Sequence, residues 1–176
     1  MRVSIVKLNR KSARWRNYSY TSAASYFVTI STKHRYATLG HYTTNSVELS
    51  TLGIVAEECL LALQEHHPNI TRVLYSIQPN HIHILIVLRY LPETRSEYES
   101  FGRPVKNSIP TIVRTLKAAI TREARRRLTS PRLVVFQRGY HMRVLLSLDY
   151  LRRVERYVMN NTRIHIQRRN RKHHKR

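Results

Sequence analysis

Ser76-Ile77-Gln78-Pro79-Asn80-His81-Ile82-His83-Ile84-Leu85-Ile86-Val87-Leu88 is the stretch around which the chain is organised. Aliphatic and β-branched residues dominate it, it lacks glycine, and its one proline falls just before the histidines. That composition reads as a buried central strand entered through a sharp Pro-Asn turn. Side chains alternate across a strand, so His81 and His83 share one face while Ile82 and Ile84 take the other. Two imidazoles spaced this way on a rigid element can share one cation. Neutral imidazole accepts zinc, copper, manganese and iron alike, so the pair alone does not select the metal. A single histidine in such a strand is ordinarily a hydrogen-bonded core or edge residue. Two polar rings on one face of an aliphatic strand are costly to bury unless both find partners, and this points to a task for the pair.

Working outward, Thr71–Ile77 is a second strand, paired antiparallel with the histidine strand because the connection is so short. Tyr26–Thr32 alternates well enough to be the first core strand, and residues 33–49 form a small hairpin or irregular excursion. Ser50 caps a helix to about His66, with Leu52, Val55, Ala56, Cys59 and Leu63 inward. Residues 89–107 read as an exposed loop. Ser108 caps a helix through about Leu128 with Ile109, Ile112, Val113, Leu116 and Ile120 inward. Leu133–Phe136 is a short further strand, and Gln137–Arg143 a loop or strand end. Ser147 and Asp149 open a last helix with Leu148, Leu151, Val154 and Val158 inward; Tyr157 and Asn161 lie four apart on one side of it. The order β, α, β, β, α, β, α predicts an α+β fold, an antiparallel sheet with helices packed on one face.

The chain has 176 residues, with 32 Lys plus Arg against 10 Asp plus Glu and a net charge of +22. One domain of this size buries a core without disulfides. A field of that sign opposes compaction and points to a polyanionic partner, nucleic acid above all. No segment is apolar and long enough to span a membrane, and the first residues lack the apolar run of a secretion signal. With Cys59 as the one cysteine, the expectation is a reducing, cytoplasmic compartment. Three segments are expected: a basic arm over 1–20, a domain over 21–162, and a basic tail over 163–176 that stays disordered until it meets nucleic acid. Candidate DNA contacts are Arg14 and Arg16 in the arm, where Trp15, Tyr18 and Tyr20 interleave aromatics with cations. Arg114, Lys117, Arg122 and Arg126 follow, on the outer face of the second helix, where the charge is almost uniform. Arg138, Tyr140 and Arg143 come from the segment after Phe136.

Several segments together carry a resemblance. Tyr26-Phe27-Val28-Thr29-Ile30, Gln78-Pro79-Asn80-His81-Ile82-His83, the helix from Ile109 to Ala119, Phe136-Gln137-Arg138-Gly139-Tyr140 and Tyr157-Val158-Met159-Asn160-Asn161 occur in the order seen in one family. Over residues 10 to 162 the chain resembles the REP-associated tyrosine transposases, a branch of the single-strand HUH transposases. The resemblance implies a split βαβ (ferredoxin- or RRM-like) fold, a homodimer, and metal-assisted strand transfer on single-stranded DNA with hairpin structure. It makes His81 and His83 the HUH pair, Tyr157 the nucleophile, and Asn161 the amide that completes a site for magnesium or manganese. Tyr140 and Tyr150 are the competing nucleophiles. The chain departs from the family at Met142 and Arg143, where relatives carry an acidic residue and a histidine. Phe136 stands for a tryptophan, and Thr162 for the proline that usually follows the Asn pair. Two further readings belong to other classes: a descendant that only binds structured single-stranded DNA or RNA, and a replication-initiator or relaxase-type nicking enzyme.

Overall fold

The computed structural model describes residues 18–90 and 105–173, with side chains described as far as Gln167. Strand β1 runs Ser25–Ser31, and a small hairpin of β2 (Gly40–Tyr42) and β3 (Val47–Leu49) follows it. Helix α1 spans Thr51–Leu61, where the Ser50 side chain accepts from Gly53 N and caps it; a short α2, Leu63–His66, continues after a break at Ala62. Strands β4 (Ile70–Gln78) and β5 (His81–Leu88) form the hairpin that the Pro79-Asn80 turn implies. Helix α3 is Ile109–Arg127, capped by Ser108, β6 is His141–Leu145, and α4 is Leu148–His173. The four long strands make one antiparallel sheet in the order β4-β5-β1-β6. This is the α+β, split βαβ arrangement expected.

Register decides what each face of the sheet carries. Val28 stands opposite Ile84 and Ile30 opposite Ile82, and with Tyr26 and Ile86 they build the main core under α1 and α3. Ile109, Ile112, Val113, Leu116 and Ile120 of α3 are all buried there, as the helical spacing predicts. On the other face Phe27 stands opposite Leu85 and Thr29 opposite His83, while Ser76 and Gln78 of β4 stand opposite His83 and His81. That face is half apolar, half polar. Leu85 and Leu145 with Val154 and Val158 of α4 form a second, smaller core. The remaining half carries the hydroxyls, the amide and the imidazoles. Helices on one face therefore holds for α1 and α3, whereas α4 covers the other, because Leu85 and Leu145 offer it an apolar seat.

Four local expectations are corrected. Leu133–Phe136 is no strand; it makes one bridge, Phe136 to Thr32, and the sheet's edge is instead His141–Leu145 beside β1. Gly139, at φ +74, turns the chain into that edge. Leu148 is exposed at the first turn of α4, before the helix reaches the sheet. Tyr20 is 4% exposed and packs in the main core, so the arm gives way to the domain before residue 21. Finally, α4 runs through residue 162 to His173 rather than yielding to a disordered tail, and Ile166 is buried on it. Thr162 lets the helix continue where a proline would remove a hydrogen bond. Residues 1–17, with Arg14 and Arg16, and residues 91–104 of the expected loop lie outside the described residues. Among the described residues no helix is long and apolar enough to cross a membrane.

Candidate active site

The turn before β5 is held from three sides. Leu39 N donates to Pro79 O, while Thr32 donates to Asn80 O through both its backbone N–H and its hydroxyl. Helix α1 closes on this region because Gly53 has no side chain; a Cβ there would stand 2.0 Å from Leu39 O. A glycine in mid-helix is costly, and close approach is its compensation. The turn thus fixes where β5 begins, and with it the aim of both histidines.

The two rings meet at their Nε2 atoms, 3.1 Å apart. Each is oriented from behind: His81 Nδ1 donates to Asn80 Oδ1 at 2.6 Å, and His83 Nδ1 lies 2.9 Å from Thr29 Oγ1. In the tautomer in which both Nδ1 atoms carry the proton, both Nε2 lone pairs face one point. Two nitrogens bound at right angles to one metal, each about 2.1 Å from it, would stand about 3.0 Å apart, close to what is found. Burial, with the nearby His165 and Arg35, holds His81 down at about 4. Burial, with His81 and His165, holds His83 down at about 3. Both are neutral at physiological pH, the state a cation requires.

Helix α4 carries Tyr157 and Asn161, the other two residues that the resemblance implies. Tyr157, 37% exposed, brings its hydroxyl to 3.3 Å from His83 Nε2, with the edge of its ring against Phe27, which stacks on His83. One turn on, Asn161 is 0% exposed, and both atoms of its amide lack a hydrogen-bond partner among the described residues. An unmet buried amide costs about 1–3 kcal/mol, so its place is bracketed with interest. On one side lies the Tyr157–His83 contact. On the other, Thr162 Oγ1 accepts from Gln78 Nε2 at 3.1 Å, and Gln78 is the cross-strand partner of His81. Among the described residues no group of three or more His, Cys, Asp or Glu side chains is arranged to hold a metal. The groups that can bind a cation here are the two neutral imidazoles; on α4, Asn161 holds a buried amide without a hydrogen-bond partner among the described residues.

Sequence reasoning did not single out Gln78, Thr29, Asn80, Tyr42 or His165. Gln78 is wholly buried; it donates to Ser76 Oγ and Thr162 Oγ1 and accepts from the Tyr42 hydroxyl. It thus ties the β2–β3 hairpin, β4 and α4 together beside the histidines. His165 stacks on Tyr42 and sets its edge toward His81. A cavity of about 700 Å³ opens here, between the imidazole pair, Arg35, His41, Tyr42 and His165. A second groove of about 460 Å³ lies beyond Tyr157, between β6 and α4.

The expected DNA-contacting residues divide between the two faces. Arg143 lies on the Tyr157 face, opposite Phe27 in the register. Arg114 and Arg122 are exposed on α3, across the sheet from Tyr157, and Arg138 is exposed in the turn before β6. Arg126 is bonded to Glu123, and the half-buried Lys117 gives its ammonium to Gln137 O and Gly139 O. Lys117 therefore staples the segment that carries Tyr140, which packs against the main core. Tyr150 is half-buried on α4, one groove away from the imidazoles.

No protein-family model matches the chain. It is 27% identical to an uncharacterized protein of Haemophilus influenzae over 160 residues, 87% of this chain and 88% of that one. Its structure is similar to that of a REP-associated tyrosine transposase bound to a REP hairpin. The TM-score is 0.57 at 14% identity, over 86% of this chain and 73% of the other. A putative transposase from Deinococcus radiodurans aligns with a TM-score of 0.48 at 18% identity, over 84% of this chain and 95% of the other. The fold is transposase-like.

Proposed function

We propose that the chain is a single-stranded DNA endonuclease and strand transferase in which Tyr157 is the nucleophile and His81, His83 and Asn161 hold a divalent cation. The observation that carries this reading is the convergence of the Tyr157 hydroxyl with the neutral Nε2 atoms of buried His83 and half-buried His81 on the sheet face. The substrate class is hairpin-bearing single-stranded DNA, in keeping with the hairpin bound by the similar transposase.

The chemistry proceeds from the phenol. Tyr157 oxygen attacks a backbone phosphorus and forms a phosphate ester, while the bond from phosphorus to the 3′-oxygen breaks. The leaving oxygen becomes a 3′-hydroxyl by taking a proton, and the phenolic proton passes to solvent. The 5′-phosphotyrosine keeps the bond energy, so a different 3′-hydroxyl reverses the step and joins a new strand. Phenol has a pKa of about 10, so attack at neutral pH needs help. Magnesium or manganese held by a neutral donor set would bring its full charge to the phosphate oxygens. His83 Nε2 has one lone pair, so as a metal ligand it would no longer accept from the Tyr157 hydroxyl, which would leave the phenol free to face the phosphate.

The test is a denaturing gel with end-labelled single-stranded DNA from the flanks of the chain's own gene, with and without manganese. Wild type forms a covalent protein–DNA band that requires the metal, and Tyr157→Phe binds the strand without forming it. Tight binding with no band under any metal assigns the chain to the binding-only class.

A further inference from the structure

We infer that Arg143, Tyr150 and Arg153 form a phosphate-binding subsite that grips the single-stranded backbone immediately beside the nucleophile. The inference rests on the reading of Tyr157 just given and adds the subsite that aligns the strand. Arg143 comes from β6 and the two others from α4, and together with Phe27, His141 and Tyr157 they line one groove of about 460 Å³.

Several of the other described guanidiniums are spent on carboxylates or carbonyls, and these two are not. Arg72 is bonded to Glu155, Arg126 to Glu123, and Arg127 to both Glu58 and Glu123. Arg89 and Arg125 donate to the carbonyls of Pro68 and Leu133. Arg143 instead donates to the hydroxyl of Tyr150 at 3.2 Å, and Arg153 lies over the ring of the same tyrosine, 5.5 Å from its centre. A neutral phenol orients both cations without cancelling either charge, and no carboxylate is among the residues lining the groove. Both arginines are exposed, so their remaining donors are open to a ligand.

The spacing on α4 fits the task. Tyr150, Arg153 and Tyr157 fall on one stripe of the helix, and Arg153 is four residues, about 6 Å along the axis, from the nucleophile. An anion held at Arg153 and Arg143 is thus a near neighbour of the one that Tyr157 attacks. Aromatic Phe27 and Tyr150 line the same groove, the mixture of cation and ring that single-stranded nucleic acid uses. A phosphodiester strand satisfies both features; a free carboxylate satisfies only the first. Tyr150 takes its place here as the post that holds two guanidiniums rather than as a nucleophile.

The test separates grip from overall charge and from chemistry. A fluorescein-labelled single-stranded oligonucleotide from the gene's flank is titrated in EDTA, with every variant carried in the Tyr157→Phe background. Arg143→Gln/Arg153→Gln is compared with Lys106→Gln/Arg132→Gln, which removes two equally exposed charges outside the groove. The first pair binds roughly tenfold more weakly, and its slope of log affinity against log salt falls by about 1.4, about 0.7 for each lost phosphate contact. The second pair changes neither by a comparable amount. Equal losses in the two pairs overturn the subsite, whether or not wild type forms a covalent adduct; absence of the adduct with the contrast intact leaves the subsite standing and removes only the strand-transfer reading.

Discussion

At the scale of the residue, His83 Nε2 is the atom on which the site turns. Its neighbours are His81 Nε2 at 3.1 Å and the Tyr157 hydroxyl at 3.3 Å, and the ring is steered from behind by Thr29. Removing the Thr29 hydroxyl frees the tautomer without touching a donor. Thr29→Val is expected to weaken manganese binding roughly 10–100-fold, the usual cost of losing such an outer partner. Isothermal titration with manganese reads this directly, and unchanged affinity would show that Thr29 does not orient the ring. The depressed histidines also set a pH dependence. Both imidazoles sit below their ordinary 6.5, at about 4 and about 3, so the unfolded chain binds protons that the folded one refuses. Their stabilising contribution is complete above about pH 6.5 and drains away as pH falls toward 4 and 3. For the metal-free protein, the urea midpoint is expected to fall over this window, and to fall less steeply in His81→Gln/His83→Gln. The alternation of His-Ile-His announces the pair in the sequence. Thr29 does not announce itself, because its partner stands 54 positions away and only the register of β1 against β5 joins them.

At the scale of the element, α4 is the moving question, since it brings the Tyr157 hydroxyl to His83 of β5 and carries the buried Asn161 one turn on. Val154 and Val158 seat it on Leu85 and Leu145. A hydrogen bond from Gln78 to Thr162 fixes its rotation one turn beyond Tyr157. Thr162→Val keeps the shape and loses that bond, for a cost of about 0.5–1.5 kcal/mol. It is also expected to lower adduct formation and manganese affinity together, and Thr162→Ser restores both. A variant that loses stability yet keeps metal affinity would reduce Thr162 to a packing role. The resemblance singled out Tyr157 and Asn161 on this helix, but the length of α4 was not legible. Its last turns are basic and polar and read as tail, while Ile166 and the stacking of His165 on Tyr42 anchor them only once the hairpin is in place. Strand β6 escaped for a related reason. His141 and Arg143 point into a groove while Met142 and Val144 turn to the core, but an alternation of only five residues beside a glycine turn is too short to mark a strand by itself.

At the scale of the whole molecule, the sheet divides labour between its faces. One face holds the main core beneath α1 and α3, and the other is divided between a small core and a polar site under α4. The net charge of +22 points to a polyanionic partner without saying where it would lie. In the fold, Arg143 of β6 and Arg153 of α4 line the groove beside Tyr157 and Arg35 the cavity beside the imidazoles, while much of the basic face of α3 is spent on Glu58, Glu123 and backbone carbonyls. The uniform sign of the α3 face in the sequence concealed this, because Glu58 lies 69 residues from Arg127. A strand held in the proposed subsite would reach Tyr157 from the β6 side.

The measurement that tests this account most directly is tandem mass spectrometry of the protein after incubation with flank-derived single-stranded DNA, manganese and then nuclease. The account predicts a 5′-phosphonucleotide on the hydroxyl of Tyr157, abolished in His81→Ala/His83→Ala. Modification at Tyr140 or Tyr150, or cleaved DNA with no tyrosine modified, would contradict it.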